Sequence, residues 1–493
     1  MRDEVEPHPP TARSFLTLFP SIMLPMFLAV VDQTIVATAL PAIAASLGNI
    51  DRVSLVVSYL VATTVAAPLY GQLRDMQGGR RMMLIALSVF LGASVLCAVA
   101  TSIEMLILAR VLQGLGGGGL MTLTQSLIGE SVPPRERARY QGYLAAVMVS
   151  SSVFGPVVGG YLAHNFGWRS IFLINLPLGA LAMLLTLRLP VRPMRTQAWA
   201  FDGLGVVLFV MFILPTLVAL YQAQELRLDR LPALIALVAV GVVALAMLVR
   251  RERQAAFPLF PLSLLRQPTI WRSDALAACH GAALVSLVTF LPLYLHIAQG
   301  TSPTESGLLL LPLMFGIGTG SMVTGRTVSR TGYTTIFPSI GLIVATILLV
   351  CLGLLVPSLS HTQLAVLLFC TGLSMGTVMG VVQVTVQSAA GVASLGSAAA
   401  SVQLSRALGA AFGTALVGTV LFAVLTWRDP DAANLFGAMV REGQGVVARL
   451  TVARQAEVHA VITGAFRAAF LAIAGFTAMG VLLAWTIPAR RLS

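Results

Sequence analysis

Asp32 stands in the first long apolar stretch, in the run Val30-Val31-Asp32-Gln33-Thr34-Ile35-Val36-Ala37-Thr38-Ala39-Leu40-Pro41. An ionised carboxylate at the centre of a bilayer costs about 2.5–3.5 kcal/mol even on lenient insertion scales, so such an acid is by default a functional candidate. Its chemistry would be to take up and release a proton or to hold a cation. The plainer alternative is a hydrogen bond to a neighbouring helix. Arg110 offers the complementary charge. Counted from the breaks in the apolar pattern, Asp32 lies about 13 Å and Arg110 about 9 Å below the same side of the membrane at 1.5 Å per residue. A guanidinium beside a carboxylate favours the ionised acid, while loss of water favours the protonated one. A site balanced between the two can exchange a proton when its surroundings change. The competing reading is a static ion pair joining two helices.

Other residue types invite conformational rather than proton chemistry. Asp75, with Arg74, Arg80, Arg81 and Gly71, sits at a helix end, where it could cap a neighbouring helix or pair across an interface. A solvated basic loop accounts for the arginines but less well for the acid and the glycines. Gly155-Pro156 removes one backbone donor and is expected to bend its helix. With Gly159 it offers a smooth packing face. Gly71, Asp75, Arg80, Arg81, Gly155, Pro156 and Gly159 are therefore the candidates for a conformational gate. Gln33, Gln113, Gln383, Gln387 and Arg406 are the candidates for a substrate cavity, and interhelical hydrogen bonding explains Gln383 and Gln387 equally well.

Several features lead to plainer expectations. Gly114 to Gly119 contains G-x-G-x-x-G, but no strand precedes it and both flanks are apolar spans, so it reads as a helix-packing stripe. Asp202 suits a helix N-cap. His280 suits a core hydrogen bond. Glu130, Asp274 and Glu305 fall at span ends and read as wet, which leaves Asp32 as the sole acid deep in a span. Cys97, Cys279, Cys351 and Cys370 lie in apolar stretches without metal-like spacing. No metal, cofactor or enzymatic cluster is expected.

The elements that must position these residues are membrane spans. Of the 493 residues, 57% are hydrophobic and 10% charged. That composition belongs to a polytopic membrane protein and leaves no room for a soluble domain. The net charge of +12 does not indicate nucleic acid. All 31 basic residues are arginine, and most lie in short loops, where positive charge sets orientation. Uninterrupted apolar windows number fourteen. With the N-terminus inside, Arg74, Arg80, Arg81, Arg135, Arg137, Arg139, Arg250, Arg251 and Arg253 all fall on the inner side. Both termini are then cytoplasmic.

Gly71 to Gly78 at the end of span 2 is echoed by Gly325 to Gly332 at the end of span 10, each with glycines seven apart and arginine between. Such repeats argue for two related halves with a site at their interface. The expected division is a six-helix bundle over 1–190, two linker spans over 191–255, and a second bundle over 256–493 with a long outer loop about 427–460.

The run from Asp32 to Pro41 resembles the span-1 motif of the fourteen-span drug:proton antiporters of the major facilitator superfamily, the QacA/EmrB type. Gly71 to Arg81 resembles the loop 2–3 motif and Arg110-Val111-Leu112-Gln113-Gly114-Leu115-Gly116 the span-4 motif. Gly155-Pro156-Val157-Val158-Gly159-Gly160 resembles the antiporter motif of span 5. Trp168-Arg169 with Phe172, Asn175, Pro177 and Gly179 resembles the opening of span 6. The chain departs from the pattern at Met76 and Gly79, where basic residues are usual, and at Ser329, which replaces an acid. The resemblance implies a multidrug-efflux fold in a bacterial inner membrane, with the proton on Asp32 tuned by Arg110. It implies a monomeric transport unit, with a periplasmic adaptor where the cell has two membranes. A cavity holding one acid and much apolar surface suits bulky lipophilic cations or neutral drugs. The alternative is an exporter or importer of one metabolite. ATP is not the energy source, since a P-loop needs lysine.

Overall fold

A computed structural model describes residues 12–48, 52–190, 202–223, 231–255, 258–259, 262–442, 450–489 and 491. Backbone polar groups find no partner in lipid, so a chain this apolar must satisfy them within each segment. The described residues are accordingly almost all helical. The helices are α1 (Ala12–Leu47), α2 (Arg52–Gln77), α3 (Gly79–Ala98), α4 (Ile103–Ser131), α5 (Pro134–Phe166), α6 (Ser170–Leu173), α7 (Asn175–Thr186), α8 (Gly203–Ala223) and α9 (Leu231–Glu252). There follow α10 (Leu262–Leu265), α11 (Pro268–Gln299), α12 (Pro303–Thr331), α13 (Ile336–Leu355), α14 (His361–Met375), α15 (Met379–Ala390), α16 (Leu395–Arg428), α17 (Pro430–Glu442) and α18 (Val452–Thr486). Among the described residues, twelve helical segments are long and apolar enough to cross a membrane. α2 and the shorter α6–α7 pair fall outside that set and pack alongside the others.

Local chemistry sets several helix starts. Ser102 accepts from the Met105 N–H at the start of α4. Ser302 and Glu305 form a capping box on α12, which puts Glu305 at an exposed helix start. Asp202 accepts from Gly205 N–H at 3.0 Å, the N-cap read from the sequence, and it also pairs with Arg251 at the end of α9. Some helices are continuous through an internal proline. α1 runs through Pro41 to Leu47 and α5 runs unbroken through Pro156.

Apolar clusters group the helices. Ile22, Met26, Phe90, Leu123 and Leu144 pack within α1–α7, while Leu287, Tyr294, Leu349, Phe466 and Phe470 pack within α11–α18. α8 lays Phe209 and Ile213 against Val65 of α2 and Leu404 and Leu408 of α16, along the line where the two groups meet. The segment 427–460, expected as a loop, contains α17. Ala432, Phe436 and Met439 of α17 are buried against the second group.

Candidate functional site

Asp32 sits near the middle of α1 and is fully buried. Its Oδ2 receives Arg110 NH1 at 2.5 Å, and its Oδ1 receives Gln113 Nε2 at 2.7 Å and Asn175 Nδ2 at 2.9 Å. Arg110 NH1 also donates to Gln113 Oε1 at 2.8 Å. The guanidinium carbon lies 4.1 Å from the centre of the Tyr59 ring, whose hydroxyl donates to Ala29 O. Ser94 accepts from Gln113 and Asn175. Five helices therefore meet in one cluster, α4 and α7 bonding the carboxylate of α1 directly and α2 and α3 holding those partners. Charge-assisted bonds of this kind are the strong ones, and the ring face adds about 2 kcal/mol for a desolvated cation.

The glycine run of α4 makes this convergence possible. A Cβ at Gly114 would come 2.6 Å from Tyr59 O and one at Gly116 2.7 Å from the Phe90 nitrogen. Side chains there would push α2 and α3 away and pull Tyr59 and Ser94 out of reach.

Asp32 and Arg110 are thus brought together, but not in the cavity. Gln113, expected to line it, belongs to the buried cluster. The sequence also missed the roles of Tyr59, Ser94 and Asn175. They are uncharged residues on separate helices, and no spacing rule links them.

A second constellation ties the two groups of helices together. It lies near the face at which α1 begins and α18 ends (the terminal face). Asp75 Oδ1 accepts from Gly396 N–H at 2.8 Å. Its Oδ2 accepts from Ser397 N–H at 2.8 Å and Ser397 Oγ at 2.9 Å. The acid caps the N-terminus of α16 from another helix, where the backbone N–H groups and the helix dipole both favour negative charge. Arg74 bridges Asp75 and Glu130 at 2.9 and 2.5 Å, so Glu130 is paired rather than wet. Gly71 permits this seam, since a Cβ there would lie 2.7 Å from Gly396 O. Arg80 instead donates to Leu189 O at 2.9 Å and Arg81 is exposed, so neither reaches the seam.

Gly155 and Gly159 pack α5 on Thr34, Ile35 and Thr38 of α1, inside the first group, and Pro156 is exposed. α5 meets α12 of the second group elsewhere along its length, at Gly142, where a Cβ would lie 2.9 Å from Met322 Cα, and at Ala138, which packs on Gly325. Gln387 closes on α4, giving Nε2 to Gln125 O at 2.9 Å. Gln383 is buried on the same helix. Neither lines the cavity between the groups.

That cavity has a volume of about 620 Å³ and lies away from the terminal face. Gln33 and Thr64 line it from the first group, Thr289, Gln403 and Arg406 from the second, and Leu217 from α8. Asp32, one residue from Gln33, turns the other way. Asp274, expected to be wet, is buried in α11 with Ser401 Oγ at 3.4 Å. His280 gives Nε2 to Met375 O at 3.1 Å, the core hydrogen bond read from the sequence.

Comparison with known proteins agrees with this architecture. An MFS-type transporter of Mycobacterium tuberculosis H37Rv is 31% identical over 474 residues, 95% of this chain and 68% of the relative. The multidrug transporter protein MdtP of Bacillus subtilis is 30% identical over 410 residues, 82% of this chain and 75% of its own length. The crystal structure of the human organic anion transporter MFSD10 superposes with a TM-score of 0.66 at 15% identity, covering 95% of this chain and 99% of that one. The proton:xylose symporter XylE superposes with a TM-score of 0.63 at 14% identity, covering 96% of each. The Major Facilitator Superfamily model matches residues 22–414, and the chain belongs to that superfamily.

Proposed function

We infer that this transporter is a proton-coupled efflux protein that moves amphipathic compounds outward by alternating access. The observation that carries the reading is a carboxylate buried in one helical group, immediately behind Gln33 in the wall of the cavity between the groups. Oδ2 of Asp32 is filled by Arg110. A proton arriving there must displace that N–H, which frees the arginine and loosens α1 from α4. Movement in the cavity wall and proton uptake then share one hinge point. The multidrug names of relatives at about 30% identity support efflux as the direction.

In this reading α2 and α6–α7 also cross the membrane, giving fourteen spans of the QacA/EmrB type. Residues 1–190 and 256–493 form the two six-helix bundles, and 191–255 carries the inserted pair. The terminal face is cytoplasmic in a bacterial inner membrane, in keeping with its arginines. The seams of Asp75 and Gly142 then close the inner side, and the cavity belongs to the outward-facing state.

The test uses proteoliposomes with an imposed pH gradient and a panel of amphipathic dyes, comparing the parent with Asp32→Asn. Gradient-driven accumulation should be lost in Asp32→Asn, while gradient-free dye exchange and the protein level persist. Removing one partner of a buried pair can cost about 3–5 kcal/mol. Asp32→Asn with Arg110→Gln therefore serves as a second variant without the stranded guanidinium. Accumulation close to the parent's in either variant would overturn the assignment.

A further inference from the structure

We propose that the cavity takes amphipathic anions, most simply lipophilic carboxylates, and that Arg406 receives their charge. The efflux reading supplies what the cavity is for, and the geometry supplies the sign of its charge. Arg406 lies on α16 and lines the cavity. Its stem is pressed on α11, where a Cβ at Gly281 would lie 3.1 Å from Arg406 Cγ. The guanidinium has no ion pair or hydrogen bond among the described residues, and no acid or histidine lines the cavity with it. The buried acids among the described residues are elsewhere, with Asp202 at the start of α8 and Glu252 at the end of α9. Asp32 faces the interior of α1–α7 and is held by Arg110, and Asp274 lies toward the terminal face beside Ser401. His280 is committed to Met375 O.

An arginine held within the membrane is costly and is retained facing a partner or a water-filled path. This one faces a cavity, and its planar fork matches a carboxylate with two parallel bonds. Gln33 and Gln403 add neutral hydrogen-bonding groups around it, and Leu60, Leu217 and Val285 supply apolar walls for the body of the ligand. A lipophilic cation would instead enter a chamber whose single formal charge among the described residues repels it. The cationic substrates expected from the sequence depended on Asp32 being in the cavity, and it is not.

The experiment measures binding to the purified full chain by equilibrium dialysis, without any gradient. Three dyes share one ring system and carry a carboxylate, its neutral amide or a quaternary ammonium. The parent should bind the carboxylate about tenfold or more tighter than the ammonium dye. In Arg406→Gln the carboxylate-to-amide ratio should fall about tenfold, in Arg406→Lys it should recover in part, and in Arg406→Glu the preference should invert. Equal binding of carboxylate and ammonium by the parent overturns the proposal. So does an equal loss for all three dyes in Arg406→Gln with no recovery in Arg406→Lys, which would mark a structural role. The same dyes in pH-driven proteoliposomes separate the two readings. Charge-selective binding without gradient-driven transport would leave the anion site standing and remove the efflux assignment.

Discussion

At the scale of single residues, the Asp32 cluster depends on geometry as much as on charge. Arg110 NH1 serves both Asp32 Oδ2 and Gln113 Oε1 while the guanidinium plane lies on Tyr59. Lysine keeps the charge but offers a point donor without a stacking plane. Arg110→Lys is therefore expected to reduce gradient-driven efflux about tenfold or more, because the ring contact alone contributes about 2 kcal/mol. Initial rates in proteoliposomes at matched protein density check this. Parent-like rates would mean that only the charge matters. Asp32 and Arg110 were legible from the sequence because ionisable residues in apolar stretches are conspicuous. Ser94 and Tyr59 were not, and Asn175 stood out only as a member of the span-6 motif without a role, since such residues are common in helices and become partners only when five helices meet.

At the scale of helices, the two related seams differ in what closes them. α2 meets α16 through Gly71 and the Asp75 cap, whereas α12 meets α5 through Gly325 with Ser329 in the place of the acid. The start of α5 has no side-chain cap and carries Pro134 in its first turn, so fewer N–H groups there need one. Close glycine contacts and apolar packing, Val328 with Ala138 among it, hold that seam. Gly71→Leu should force α2 from α16 and lower efflux about tenfold or more, with labelling of a cysteine at Ser397 from the terminal face increased, since packed helices do not absorb such a clash. Gly160→Leu is the control, because nothing lies within 4 Å of its Cβ position. Equal activity of the two variants would show that the α2–α16 seam need not close. The glycine repeats were legible as sequence, but their partners Gly396 and Ala138 were not, because neither stands in a motif.

For the whole molecule, the sign of the cargo decides the energetics of transport. A membrane potential contributes about 2.3 kcal/mol per charge per 100 mV, close to a fifty-fold gradient. Exporting a monoanion against one incoming proton moves two charges in the favourable direction, while a cation exchanged one-for-one moves none. Collapsing the potential with valinomycin and potassium in everted vesicles should therefore reduce carboxylate accumulation by about fifty-fold or more, even with the pH gradient held. Accumulation unaffected by valinomycin would contradict an electrogenic exchange of this kind. α8 enters at this scale as well. Its Leu217 closes part of the cavity wall where α2 and α16 meet, so α8 borders the cavity.

The sequence by itself determined that the chain is a bundle of membrane helices, because apolar length and arginine placement are local quantities summed along the chain. It also marked Asp32 and Arg110 as out of the ordinary and displayed the glycine and arginine pattern repeated at the ends of α2 and α12. Only the tertiary structure decided which way each side chain turns. A rotation of about 100° per residue separates Asp32, inside the first group, from Gln33 on the cavity wall. The periodicity of a helix apolar nearly all round does not say which face meets which neighbour. For the same reason Gln113, Gln383 and Gln387 went to buried contacts. Arg406, whose partner could not be read from spacing, became the charge of the cavity.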